Sequence, residues 1–357
     1  MIRSFFILLW LSFFVKSKGQ SSFSFADSIR INHKIPELAY AVVSSDSILD
    51  IQAMGLSCIN STKEANLNHL FRIGSNTKTI TSYLAALMVK QGKLTWNAKF
   101  FDLYPELKPK SNTAYHKLTL KQLLTFRAPL LAWTYTYQTP TEQEITGNQQ
   151  QQRYNFASWV LQQEPVLEKR NFYWSNPSYV LVGLMLEKAG GKSYETLVEQ
   201  LGKELGINFY FGQPNLINEN QPWGHDQNLE PEQPLVNYKL NWLAPAGNIS
   251  LSLPHYCKFI QLQLQGLMGK SNSLTKKEFE NMHYGLPEFA FGWKWYVDDQ
   301  THYKYSFHEG NPGTFLSKVF ICHDTKKAFV VFCNVQSAEA EKGLALLLAE
   351  LKKKYAS

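Results

Sequence analysis

An apolar run at residues 38–43 and a second, mixed one at 48–54, separated by the polar turn 44–47, predict two β-strands. After a loop to Leu70, Ile80, Leu84, Leu87 and Met88 recur on one stripe, which predicts an amphipathic helix over 79–91. From about 95 to 245 the pattern is helical, with periodic segments at 118–124, 156–161, 178–189 and 194–205. Polar loops separate them, and 134–153, with four consecutive glutamines, reads as an exposed insertion. Strand patterning returns at 291–297, 303–307, 316–322 and 328–333, and a last helix is predicted over 338–355. Strands at both ends therefore enclose a helical middle. The fold class this implies is α+β: an antiparallel sheet assembled from both termini and flanked by helices, with an inserted, mostly helical subdomain and a cleft between.

The first residues follow a different pattern. Arg3, an apolar run from 5 to 15, then Lys16, Ser17, Lys18 and Gly19 form the layout of a secretory signal peptide, too short to span a membrane. Residues 1–19 are thus expected to be a signal and 20–357 one domain, its α/β part at about 24–94 and 246–357 and its helical part at about 95–245. The expected location is exported, periplasmic or extracellular, with membrane attachment only if the segment is retained. Losing residues 1–19 removes three cations and takes the formal charge from +7 to +4. That mild excess, with no basic run interleaved with aromatics, gives no support to nucleic-acid binding. Cys58, Cys257, Cys322 and Cys333 are far apart and lack zinc spacing, so neither a metal nor any other cofactor is called for, and all four read as small buried residues.

Chemistry enters at Phe71-Arg-Ile-Gly-Ser-Asn-Thr-Lys78, where Ser75 and Lys78 fall one helical turn apart. Positions i and i+3 share a helix face, so an amine can reach a hydroxyl there and act as its base. The tetrapeptide by itself is weak, because Ser273 and Lys276 repeat it in a polar stretch that reads as a surface turn. The apolar approach through Leu70, Phe71 and Ile73 and the amphipathic helix that follows single out the first copy.

Two further groups accompany it. Tyr173-Trp174-Ser175-Asn176 precedes a helix, where Asn176 is suited either to holding a lysine amine or substrate carbonyl or to capping the helix start. His308-Glu309-Gly310 follows the strand at 303–307 and leads into Asn311. There the imidazole offers a cation or a donor, Gly310 room for a substrate backbone, and the alternative for His308 is a purely structural role.

In this order and spacing the three groups resemble the serine β-lactamase and penicillin-binding protein superfamily, closest to its branch of class C β-lactamases, D-Ala-D-Ala carboxypeptidases, D-aminopeptidases and esterases. Ile35-Pro36-Glu37, Gly92-Lys93-Leu94, Leu123-Leu124-Thr125-Phe126 and Pro245-Ala246-Gly247-Asn248 match further family motifs, and the resemblance covers about residues 24–350. It implies a five-stranded antiparallel sheet with a helical subdomain. It also implies Ser75 as the acylated nucleophile, Lys78 as its proton partner, Asn176 as a third polar contact, His308 in the place of the family's third-motif lysine, and the N–H groups of Ser75 and Asn311 as oxyanion donors.

Three departures stand out. Trp174 occupies the family's tyrosine position and cannot accept a proton, while Tyr173 is one residue out of register. Glu309 replaces a small or hydroxylated residue and is expected to repel substrate carboxylates. The loop 308–313 is one residue short.

The function these residues point to is an exported serine hydrolase forming an acyl-enzyme on a small-molecule or peptide ester, amide or lactam, cell-wall peptide included. Trp174, Tyr173, Glu309 and Gly310 are its expected substrate contacts. The alternative is an impaired homologue acting as a binding protein.

Overall fold

The computed structural model describes residues 21–235, 238–271 and 273–356, so the expected signal segment lies outside them. Among the described residues there are nine strands: β1 (Glu37–Ser44), β2 (Ile48–Gly55), β3 (Leu70–Arg72), β4 (Tyr210–Phe211), β5 (Ile249–Ser252), β6 (Lys294–Val297), β7 (Lys304–Gly310), β8 (Leu316–Cys322) and β9 (Lys327–Cys333). The helices that matter here are α1 (Ser22–Asn32), α2 (Thr77–Lys90), α3 (Gln149–Leu161), α4 (Asn176–Gly190), α5 (Tyr194–Leu205), α6 (Leu253–Leu267), α7 (Lys276–Tyr284) and α8 (Ala338–Tyr355).

The apolar run at 38–43 becomes β1, which pairs with β2 on one side and β9 on the other in a six-stranded antiparallel sheet ordered β2-β1-β9-β8-β7-β6. Because successive side chains point to opposite faces, Leu38, Tyr40 and Val42 pack under α1 and α8, while Ala39, Ala41 and Val43 join the core beneath α2 and α6. A strand covered on both faces needs no polar alternation, which is why this stretch reads as a continuous apolar run.

Two expectations need correction. The sheet has six strands where the resemblance implies five, and a second, three-stranded sheet, β3-β5-β4, lies beside it. Strands of two to four residues carry too little alternation to be read from sequence. The glutamine run is no loop: Asn148 caps α3 with a reciprocal Asn148–Gln151 capping box, and the run forms the first turn. At the end of the supposed exposed insertion, Arg153 is fully buried, held by Glu187 at 2.5 Å and Glu195 at 3.0 Å.

Helices α3–α5 lie in the region read as helical, and α4 is stopped by Gly191 in the left-handed conformation. All four cysteines are free, three buried and Cys58 half-buried. In the β8–β9 register Cys322 faces Lys327 and Cys333 faces Leu316, so those two do not meet. No helix among the described residues is long and apolar enough to cross a membrane.

Candidate active site

Ser75 does not sit on α2 itself but in a 3-10 turn, Gly74–Asn76, that feeds it. Several contacts lock the turn. Asn76 donates to Ser317 Oγ at 2.6 Å, Ser317 Oγ donates to Ile73 O at 2.7 Å, and Arg72 donates twice to Asn248, at 2.9 and 2.6 Å. Glu232 lies 3.4 Å from Arg72 and accepts from Thr314 Oγ1 at 2.6 Å, tying the approach to Ser75 to the turn after β7. Two glycines make that approach possible. A methyl on Gly310 would lie 1.9 Å from Ile73 O, and one on Gly74 would lie 2.7 Å from Asn311 N. Gly74 also has φ +51°, where a side chain is strained. The turn before Ser75 and the end of β7 thus come together only because Gly74 and Gly310 lack a Cβ. Gly310 makes room for Ile73.

Lys78 is buried, and its Nζ donates to Ser75 Oγ at 2.8 Å, Asn176 Oδ1 at 2.9 Å and Ala246 O at 2.7 Å. Asn176 is the first residue of α4, while Ser175 caps that helix by accepting from Ser178 N, so the lysine-holding alternative is the one realised. Its amide orientation is fixed, because Nδ2 donates to Trp133 O at 3.0 Å and a carbonyl can only accept. Burial, and secondarily the Lys294 ammonium, push the Lys78 amine down to about 7.

His308 is buried on the face of β7 it shares with Gly310, and its Nδ1 lies 2.7 Å from Gly292 O. Since the carbonyl accepts, Nδ1 carries the hydrogen. Burial first, then the Lys78 and Lys294 charges, hold the ring well below the usual imidazole range, against a smaller opposing pull from the Gly292 carbonyl. His308 is therefore neutral with an Nε2 lone pair, so of the two roles the sequence offered the cation is lost, and the donor Nδ1–H is directed to Gly292 O.

Trp174 is 40% exposed and rests on Phe126, Phe172 and Phe289, with the Lys294 ammonium 4.7 Å from its ring centre. Tyr173 is half-buried, its N–H donating to Phe126 O at 2.7 Å. Asn311 is exposed, and its side chain accepts from Gly313 N to close its own turn.

The beta-lactamase family model matches residues 23–352. The chain belongs to the beta-lactamase family. Protein flp of Staphylococcus aureus is 22% identical over 318 residues, covering 86% of this chain, which spans only 61% of that relative. Among solved structures, a class C beta lactamase from Rhodobacter sphaeroides superposes with TM-score 0.73 at 18% identity, covering 92% of this chain and 99% of that one. D-alanine carboxypeptidase AmpC from Burkholderia cenocepacia gives 0.71 at 17%, covering 92% and 100%. These likenesses establish the fold.

Set against that family's pattern, this beta-lactamase family chain departs at two side chains. Among the described residues, none of the hydrogen-bond partners of Ser75 or Lys78 is a tyrosine. The tyrosine whose ring lies 5.6 Å from Lys78 Nζ, Tyr179, is buried and donates its hydroxyl away, to Leu124 O. Glu309 accepts from Lys318 at 2.6 Å and lies 3.8 Å from Lys294, on the opposite side of β7 from His308. Its charge is compensated, so the carboxylate repulsion expected from sequence loses its basis.

Sequence reasoning missed Lys294, which looks like any lysine on an edge strand. It also missed Ala246 O and Trp133 O as partners, because a backbone carbonyl leaves no signal in residue type.

Proposed function

We propose that this chain is an exported serine hydrolase that forms an acyl-enzyme on Ser75. The observation that supports this reading is the set of partners of Lys78. Asn176 Oδ1 and Ala246 O are acceptors only, so a neutral Lys78 must spend both its hydrogens on them and its lone pair is left facing Ser75 Oγ. A base aimed by two fixed acceptors, in a site that lowers its proton affinity, is what a serine nucleophile needs.

Ser75 Oγ attacks the carbonyl carbon of an ester, amide or lactam while its proton passes to Lys78. The oxyanion forms against the N–H groups of Ser75 and Asn311. When the intermediate collapses, the Lys78 ammonium returns that proton to the leaving alkoxide or amine. Lys78, neutral again, takes a proton from the water that attacks the acyl carbon, and Ser75 leaves with that proton. Free acid and free Ser75 result.

The substrate class fitting this chemistry is a small-molecule or peptide ester or amide, cell-wall peptide included. Export rests on the composition of residues 1–19. The test is reaction of the purified chain with a fluorophosphonate and with a fluorescent penicillin, followed by mass location of the adduct. Adduct on Ser75 in the wild type, absent from Ser75→Ala, is the expected result, and labelling that survives in Ser75→Ala overturns the reading.

Trp174 favours a second reading, a binding protein with weak or no turnover. It predicts an adduct on Ser75 that is never released, or ligand binding with no adduct.

A further inference from the structure

Behind the sheet, on the face away from His308, α8 and the outer sides of β6, β7 and β8 enclose a cavity of about 780 Å³. Its walls are Tyr296, Tyr303, Tyr305, Phe320 and Leu348, with Lys352 projecting from α8. Tyr296 and Tyr305 stack with centres 5.4 Å apart. The Lys352 ammonium lies 3.8 Å from the Phe320 ring centre and 4.6 Å from that of Tyr305, and donates to Tyr296 Oη at 3.2 Å.

Among the described residues this cation has no directly paired carboxylate, none lying within 4.0 Å of Lys352 Nζ, and the two acids bordering the cavity are engaged elsewhere. Asp298 accepts from the backbone and hydroxyl of Thr301, and Glu309 is held by Lys318 and Lys294. Ring faces attract an ammonium, but they do not replace the hydration it gives up in a partly buried site. Burial lowers the amine to about 8, against the pull of Asp298.

We infer that this cavity is a binding site, separate from Ser75, for a small amphipathic anion: an aromatic or aliphatic body laid on Tyr296, Tyr305 and Phe320, with a carboxylate or sulfonate head on Lys352. The volume matches that of a small-molecule pocket, and the walls and the cation supply the two halves of such a ligand. The inference does not depend on catalysis at Ser75.

The probe is 1-anilinonaphthalene-8-sulfonate, titrated into the full chain by fluorescence beside its uncharged relative N-phenyl-1-naphthylamine. Saturable single-site binding of the sulfonate is expected, weakened at least tenfold by Lys352→Met, with the uncharged dye unaffected. Ala349→Trp, placed on the exposed side of α8 at the cavity wall, should weaken both dyes by filling the space. Thermal unfolding monitors the fold of each variant. Equal sulfonate affinity in Lys352→Met, equal losses for the two dyes there, or no saturation in the wild type overturns the site. Should Lys352→Met fail to fold, Ala349→Trp decides alone, and undiminished binding in it overturns the site.

Discussion

The chain contains the Ser-x-x-Lys tetrapeptide twice, and the two copies have nothing in common beyond it. At Ser75 a 3-10 turn runs into a helix, Lys78 is buried, and its amine meets the hydroxyl at 2.8 Å. At Ser273 the serine precedes the helix cap Thr275, and its hydroxyl accepts from Tyr83 at 2.8 Å. Lys276 is the first residue of α7, its side chain 54% exposed and directed to Glu280 at 3.7 Å. An exposed amine keeps its water and its proton, whereas a buried one is forced toward neutrality. What makes a nucleophile is therefore the enclosure and the fixed acceptors around the lysine, and the tetrapeptide only permits them.

That contrast is broken or sharpened by four experiments. Ser75→Ala should abolish fluorophosphonate labelling while Ser273→Ala labels at the wild-type rate, and a loss in the second variant would erase the distinction. Lys78→Met should slow acylation by about 10²- to 10⁴-fold, the usual contribution of a positioned acid–base group, and Lys276→Met should leave it alone. Stopped-flow acylation by a chromogenic ester measures both.

Trp174→Tyr restores a hydroxyl able to relay a proton. Steady-state turnover of the same ester should rise roughly tenfold, a small part of what acid–base assistance can give. An unchanged or lower rate in a folded variant assigns the indole to substrate binding and removes the reading of this chain as an impaired enzyme.

The smallest effect concerns pH. Only neutral Lys78 can take the proton, so acylation should be slow below about pH 7 and rise to a plateau above it. The Lys294 charge helps to hold the Lys78 amine low, so Lys294→Met should move the midpoint of that rise upward by a fraction of a unit. An unchanged midpoint would show that Lys294 is not felt at the site.

How much of this could be read from the sequence depended on length and on atom type. The strand at 316–322 and the helix at 338–355 appear with the expected ends, because seven or more patterned residues average out local exceptions, and Ser337 supplies a cap. The three-residue β3 and two-residue β4 offered no such average. In the site, Ser75, Lys78 and Asn176 were legible as side chains at motif spacing. The carbonyls of Ala246, Gly292 and Trp133, which set the direction of every proton here, were not, since any residue carries one. Glu309 misled for a related reason: its charge was visible, but Lys318 and Lys294, which cancel it, are brought to it by the register β6-β7-β8.

The pairing of β1 with β9 gives this molecule a particular timetable. Ribosomes deliver the chain from its N-terminus, and the pairing of residues 37–44 with 327–333 has to await the synthesis of β9. Contacts so distant along the chain also form slowly once all residues are available. The turn bearing Ser75 is held by Ser317 of β8 and abuts Asn311, so a nascent or truncated chain carries an ordinary serine and an ordinary lysine. The proposed reactivity of Ser75 therefore requires β8 in place, which would make covalent labelling a clock for the assembly of this part of the sheet.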